Sequence, residues 1–191
     1  MPAEKTERNS RKQLVACVGN MLLLDEGFGP YMAQVLTDRD KALEHFDEEH
    51  ADLLVSTFRP DETEPPEGDE RIPVLDAGTM GMGMIPYIRD YDQIIVVDAV
   101  DCGPDAKPGT CYVFTPEEMA ENSIMHSLHD MRVPDVLNNA RLAGYDCDIM
   151  CVGVQVKDMN PRELTVGLTP EVSAAVPYAV AGILDQLGLE I

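Results

Sequence analysis

The stretch Leu14–Gly29, reading LVACVGNMLLLDEGFG, constrains the fold most: an apolar run ends at Gly19-Asn20, and two adjacent carboxylates, Asp25 and Glu26, precede Gly27-Phe28-Gly29. A strand that passes through a glycine-punctuated turn into a helix is the building unit of open α/β sheets, whose ligands sit where loops leave strand C-termini. Backbone amides and a helix N-terminus favour anions, but two negative side chains at that position oppose a phosphate. The turn is therefore read as a site for cation binding or proton transfer.

Further strands are predicted over Gln13–Val18, Leu53–Phe58, Ile72–Leu75, Gln93–Val97, Thr110–Phe114 and Ile149–Gln155. Several are apolar at successive positions, the pattern of strands covered on both faces. Helices are predicted between them over Pro30–Thr37, Lys41–His50, Met84–Tyr91, Val133–Gly144 and Pro170–Leu187. The last has Thr169 to cap it, Pro170 at its first position, Pro177 to kink it and Gly188 to end it. The alternation predicts an α/β protein, a three-layer α/β/α sandwich around a central, mainly parallel twisted sheet. Residues 1–13 read as a flexible extension and residues 14–191 as one domain, with Pro60–Arg71 (PDETEPPEGDER) as an acidic solvated connector.

Charge narrows the function. With 14 Lys+Arg against 35 Asp+Glu, the formal net charge of −21 repels nucleic acid and anionic lipid. The charged N-terminus has no apolar leader and no later run is long enough to span a bilayer, so a cytoplasmic location is expected. Five cysteines, mostly within apolar strands, read as buried thiols. No Walker loop, GxGxxG fingerprint, HExxH or GxSxG elbow occurs.

Asp98 closes the run QIIVVD, where a parallel strand would deliver it to the same edge as the loop after Val18. An acid there also caps a following loop, so position alone leaves the role open. Of four histidines, His45 and His50 lie in an acidic amphipathic stretch, whereas His126 and His129 lie in NSIMHSLHDM, after the strand ending at Phe114. That loop reaches the crevice if its strand is parallel to its neighbours. Two carboxylates and one imidazole form an N/O ligand set for zinc, nickel or another divalent ion, with room for water or substrate. Without a metal, the carboxylates retain general acid/base chemistry.

Five collinear motifs, GNMLLLDEGFG, DAGTMG at Asp76–Gly81, VVDAV around Asp98, SLHDMRVPDVL around His129 and GLTPEV near the C-terminus, resemble those of the hydrogenase maturation proteases. The resemblance runs from Leu14 to Leu187. It implies an endopeptidase that removes the C-terminal extension of a nickel-iron hydrogenase large subunit precursor after nickel insertion. It places metal ligation on Glu26, Asp98 and His129, catalysis on Glu26 and Asp98 under the family's aspartic-type label, and the substrate groove at Gly78 and Thr79. Nickel is then supplied by the precursor, with zinc or another divalent ion as the alternative occupant.

The sequence departs from the family pattern after Gly153, where VQVKDMN replaces an acidic Pro-Glu segment, and around Lys41, which looks long. Those departures point to a subgroup, the delta subunit encoded with deazaflavin-coenzyme-reducing hydrogenases. The alternative function is a non-catalytic hydrogenase-associated chaperone or nickel-checkpoint subunit of the same fold.

Overall fold

The computed structural model describes residues 11–61, 67–121, 133–159 and 163–189. Strands β1 (Gln13–Val18), β2 (Phe58–Pro60), β3 (Ile72–Gly78), β4 (Gln93–Val100), β5 (Cys111–Phe114) and β6 (Asp148–Gln155) form one sheet in the order β2-β3-β1-β4-β6-β5. All neighbours are parallel except β5, which runs antiparallel to β6. The helices are α1 (Phe28–Thr37), α2 (Arg39–Ala42), α3 (Glu48–Thr57), α4 (Ile85–Asp90), α5 (Pro116–Glu121), α6 (Val133–Leu142), α7 (Pro170–Ser173) and α8 (Val176–Leu187).

The continuous apolar strands are continuous because both faces are covered. Val15, Cys17, Ile95, Val97, Val152 and Val154 pack with Phe28, Met32 and Leu36 of α1, Leu54 of α3 and Ile183 of α8. Leu14, Ala16, Val18, Ile94 and Val96 point the other way, against Ile88 of α4, Met119 of α5 and Val136 and Ala140 of α6. Burial of this kind contributes about 25 cal/mol per Å² of apolar surface, which makes these two layers the main source of stability. The expected three-layer α/β/α sandwich is the observed fold.

Local chemistry explains where sequence and structure part. The predicted strand Leu53–Phe58 is instead the end of α3, because Asp47 accepts from the His50 amide at 3.0 Å and caps the helix. Ala51, Leu54 and Phe58 are buried at helical spacing, and only Phe58–Pro60 pairs with β3. The predicted helix Lys41–His50 is broken for the same reason, since Asp38 caps α2 through the amides of Asp40 and Lys41. Pro177 does more than kink the C-terminal helix: the chain forms α7 and α8 as two pieces, with Pro177 in the first turn of α8, where its missing N–H is harmless. Gly188 ends α8 in the left-handed region, with φ 70°. The N-terminal residues 11–13, expected as part of an extension, are already joined to the sheet. Arg11 pairs with Asp148 at 2.9 Å, the Asp92 amide donates to the Lys12 carbonyl, and Gln13 opens β1.

The start of α1 is pressed onto the end of β1. A Cβ on Gly29 would lie 2.0 Å from the Val18 carbonyl oxygen, a contact of backbone with backbone that no rotamer relieves. Gly29→Ala is expected to cost at least about 2 kcal/mol in urea unfolding, in the range of overpacked cores. An unchanged unfolding midpoint would contradict this close approach.

Candidate active site at the sheet switch point

Chain connections leave β1 toward β2 and β3, and leave β4 toward β5 and β6, so the crevice between opposing connections lies at the C-terminal ends of β1 and β4. The register aligns the side chains that meet there. Cys17 pairs with Val97 and Val18 with Gly78, which sets Asp98, Val18 and Gly78 in one row across three strands. Asp98 shares the sheet face of Val96 and Val100, and is 5% exposed.

The loop between β1 and α1 folds back on itself. Gly19 leaves no room for a side chain, since a Cβ would sit 2.2 Å from the Glu26 carbonyl oxygen, which accepts from the Asn20 amide at 3.1 Å. Leu24 holds φ 53°, a left-handed conformation that costs a leucine about 1–3 kcal/mol. That strain is held by cross-links to the segment after β6: the Leu24 amide donates to the Thr165 carbonyl at 2.8 Å and the Thr165 amide to the Leu22 carbonyl at 2.9 Å.

The two adjacent acids then do different things. Asp25 is fully buried and accepts four hydrogen bonds: from the Lys157 amide at 2.9 Å, the Asp158 amide at 2.9 Å, the Thr169 amide at 2.7 Å and the Thr169 hydroxyl at 3.0 Å. Its carboxylate is consumed by the fold. The Thr169 hydroxyl, expected to cap the C-terminal helix, is spent on Asp25 and makes no cap bond. Glu26 lies in the short 3-10 turn Leu24–Gly27, which packs against β4, the strand of Asp98. It is 6% exposed, and burial pushes its carboxyl above the ordinary glutamate value of 4.5.

Gly78 and Thr79 end β3 at the same rim. Gly78 adopts φ 46°, its amide donates to the Asp76 carboxylate at 3.2 Å, and its carbonyl accepts from the Gly19 amide at 2.9 Å, which ties the two loops together.

His126 and His129 lie outside the described residues. Because β5 is antiparallel to β6, the simple route from its end to the crevice does not exist. The described helices on either side of that segment, α5 and α6, pack together, and Arg141 donates to Glu117 at 2.6 Å. Among the described residues no three His, Cys, Asp or Glu side chains form a metal-binding group.

The family model for HycI, hydrogenase maturation protease, matches residues 58–186. The chain belongs to the hydrogenase maturation protease family. It is 30% identical over 178 residues to the hydrogenase 2 maturation protease of Escherichia coli (strain K12), which spans 91% of this chain and 89% of that protein. It is 28% identical over 179 residues to the coenzyme F420 hydrogenase subunit delta of Methanothermobacter thermautotrophicus, spanning 92% and 94%. Among solved structures, the hydrogenase maturating endopeptidase HybD from Escherichia coli superposes with a TM-score of 0.66 at 26% identity, covering 93% of this chain and 92% of that one.

As a hydrogenase maturation protease, the chain departs from the family pattern at VQVKDMN, yet the clamp on Asp25 uses the backbone amides of Lys157 and Asp158. A change of side chain there leaves the clamp intact. The role of Asp25 itself is not legible in the sequence, because its partners lie 132 to 144 residues away. The one signal was that the family motif carries two acids and assigns metal ligation only to the second.

The neighbouring acids predict opposite stability effects. Asp25→Ala orphans up to four buried donors and is expected to cost at least about 3 kcal/mol, taking about 1–3 kcal/mol for each donor left unpaired. Glu26→Gln removes a charge whose burial opposes folding. Its gain over the unmodified chain is present at neutral pH and closes as pH falls below the ordinary value of 4.5, where Glu26 is protonated in both folded and unfolded states. Urea melts at several pH values read both effects, and equal losses for the two variants would contradict the division of labour.

Proposed function

We propose that this chain removes the C-terminal extension of a nickel-iron hydrogenase large subunit precursor, in the cytoplasm, after nickel has been seated in that substrate. The observation that supports this most directly is the pair of buried carboxylates, Glu26 and Asp98, on adjoining elements at the switch point of a hydrogenase maturation protease fold. Asp25 is committed to the fold and Asp98 accepts from the Ala99 amide at 2.8 Å, and Glu26 and Asp98 are the carboxylates proposed to carry the chemistry. His129 is the proposed third ligand, and Gly78 and Thr79 the proposed lining of the substrate groove.

Burial supplies a physical reason for waiting on the metal. Burial pushes the Glu26 carboxyl above its ordinary value, so its ionised form costs more than in water and a nearby cation offsets that cost. Glu26 and Asp98 would hold a divalent ion carried by the precursor, whose charge would favour their ionised form. The carboxylates then orient the water and the scissile carbonyl as general acid/base groups, the aspartic-type reading of the family. Zinc or another divalent ion in the same ligands is the alternative occupant. Similarity to a subunit named for coenzyme F420 hydrogenase favours that class of hydrogenase as the partner.

A second reading, a hydrogenase-associated subunit that probes nickel without cleaving, rests on the same relative, named a subunit rather than a protease. Trimming of purified precursor separates the two. The unmodified chain is expected to shorten nickel-loaded precursor and leave nickel-free precursor intact, while Glu26→Gln, Asp98→Asn and His129→Ala each lower the rate by about 10²-fold or more, the usual range for a lost acid/base group. Stable binding with no trimming by the unmodified chain would favour the checkpoint subunit. Full activity of the Glu26 and Asp98 variants would remove the proposed site.

A further inference from the structure

Strand β2 is shorter than the strand it pairs with. Its register with β3 runs Phe58↔Ile72, Arg59↔Pro73 and Pro60↔Val74, and its last bond is the Asp61 amide to the Val74 carbonyl at 3.0 Å. Peptide groups alternate sides along a strand, so the next outward-facing groups of β3 after Val74 are those of Asp76. Among the described residues, no strand flanks β3 beyond Val74 on this side. The lane that β2 vacates opens into a cavity of about 430 Å³, walled by Gln34 and Thr37 of α1, Asp61, Asp76 and Tyr87. Asp76 is exposed between two buried neighbours, Leu75 at 8% and Ala77 at 4%, because its side chain faces this space.

An edge of this kind recruits extended peptide: main-chain bonds give affinity and flanking pockets select side chains. The lane has a direction as well. Two residues beyond Asp76, β3 reaches Gly78, in the row shared with Val18 and Asp98, so a strand laid along β3 is led to the proposed catalytic rim. Asp61 and Asp76 give the slot a negative charge within a chain that is acidic overall; burial pushes the Asp61 carboxyl upward, the Arg59 charge and the Tyr91 hydroxyl at 3.5 Å act against that, and a cationic ligand side chain would add to them.

We propose that the precursor segment to be cut enters as a short added strand along the edge of β3 past Val74, where the described residues place no strand, with a Lys or Arg side chain seated between Asp61 and Asp76. The proposal deepens the protease reading and rests on it for the identity of the peptide. It makes β3 a substrate-binding edge and Asp61 a specificity-determining residue.

The test uses the full chain and a synthetic peptide spanning the cut junction of the precursor. Hydrogen exchange is expected to show the Asp76 amide protected when the peptide binds. Thr37→Trp, which fills the slot from α1, is expected to raise KM about tenfold with kcat within about twofold, the pattern of lost uniform binding. Asp61→Asn is expected to reduce the preference for the natural peptide over one whose basic residues are replaced by norleucine. An unprotected Asp76 amide, together with unchanged KM in Thr37→Trp, would overturn the added strand while leaving the protease reading intact. Binding with Asp76 protection but no cleavage would instead sustain the docking edge and count against the peptidase. If Thr37→Trp melts early, the exchange measurement on the unmodified chain decides alone.

Discussion

The buried carboxylate of Asp25 is the interaction on which the site depends. It gathers amides from the segment after β6 and from the entry to α7, and so pins the loop between β1 and α1 to the C-terminal part of the chain. Hydrogen bonds to a charged acceptor are stronger than neutral ones, and burial makes their loss expensive. That clamp offsets the unfavourable backbone of Leu24, and Glu26 is the next residue but one. A glutamate carried on an unpinned loop would lose entropy each time it met a cation. Here the ordering is done by folding, before substrate arrives.

The same arrangement explains why two adjacent acids in one motif are not interchangeable. One is satisfied by four donors from the protein and has no capacity to spare for a ligand. The other sits on the turn that packs against β4, where burial raises its carboxyl above the ordinary value. Under the proposed function, a site whose buried carboxylates cost less to ionise beside a cation would favour a precursor that already carries its metal.

Much of this was readable in the sequence, because it depended on local patterning. Continuous apolar runs marked β1, β4 and β6, and the strand ends delivered Glu26 and Asp98 to one edge, as parallel topology requires. What the sequence hid was either competition or distance. Asp38 and Asp47 acted as helix caps inside a stretch that looked uniformly helical, and the cap at Asp47 turned Leu53–Thr57 from predicted strand into helix. The reversed direction of β5 depends on which edge of β6 it finds, which no short-range pattern encodes. The partners of Asp25 were invisible because backbone amides carry no sequence signature. The third proposed ligand, His129, was identified by motif alone and lies outside the described residues.

Glu26 and Asp98 are proposed to meet the precursor's nickel, and nickel K-edge absorption on the complex reads that contact. On mixing nickel-loaded precursor with the chain, the account predicts additional oxygen and nitrogen neighbours around nickel, with the oxygen contribution falling when Glu26→Gln or Asp98→Asn is used instead. A nickel environment that is the same in free and bound precursor, in a complex shown to be fully formed, would contradict it.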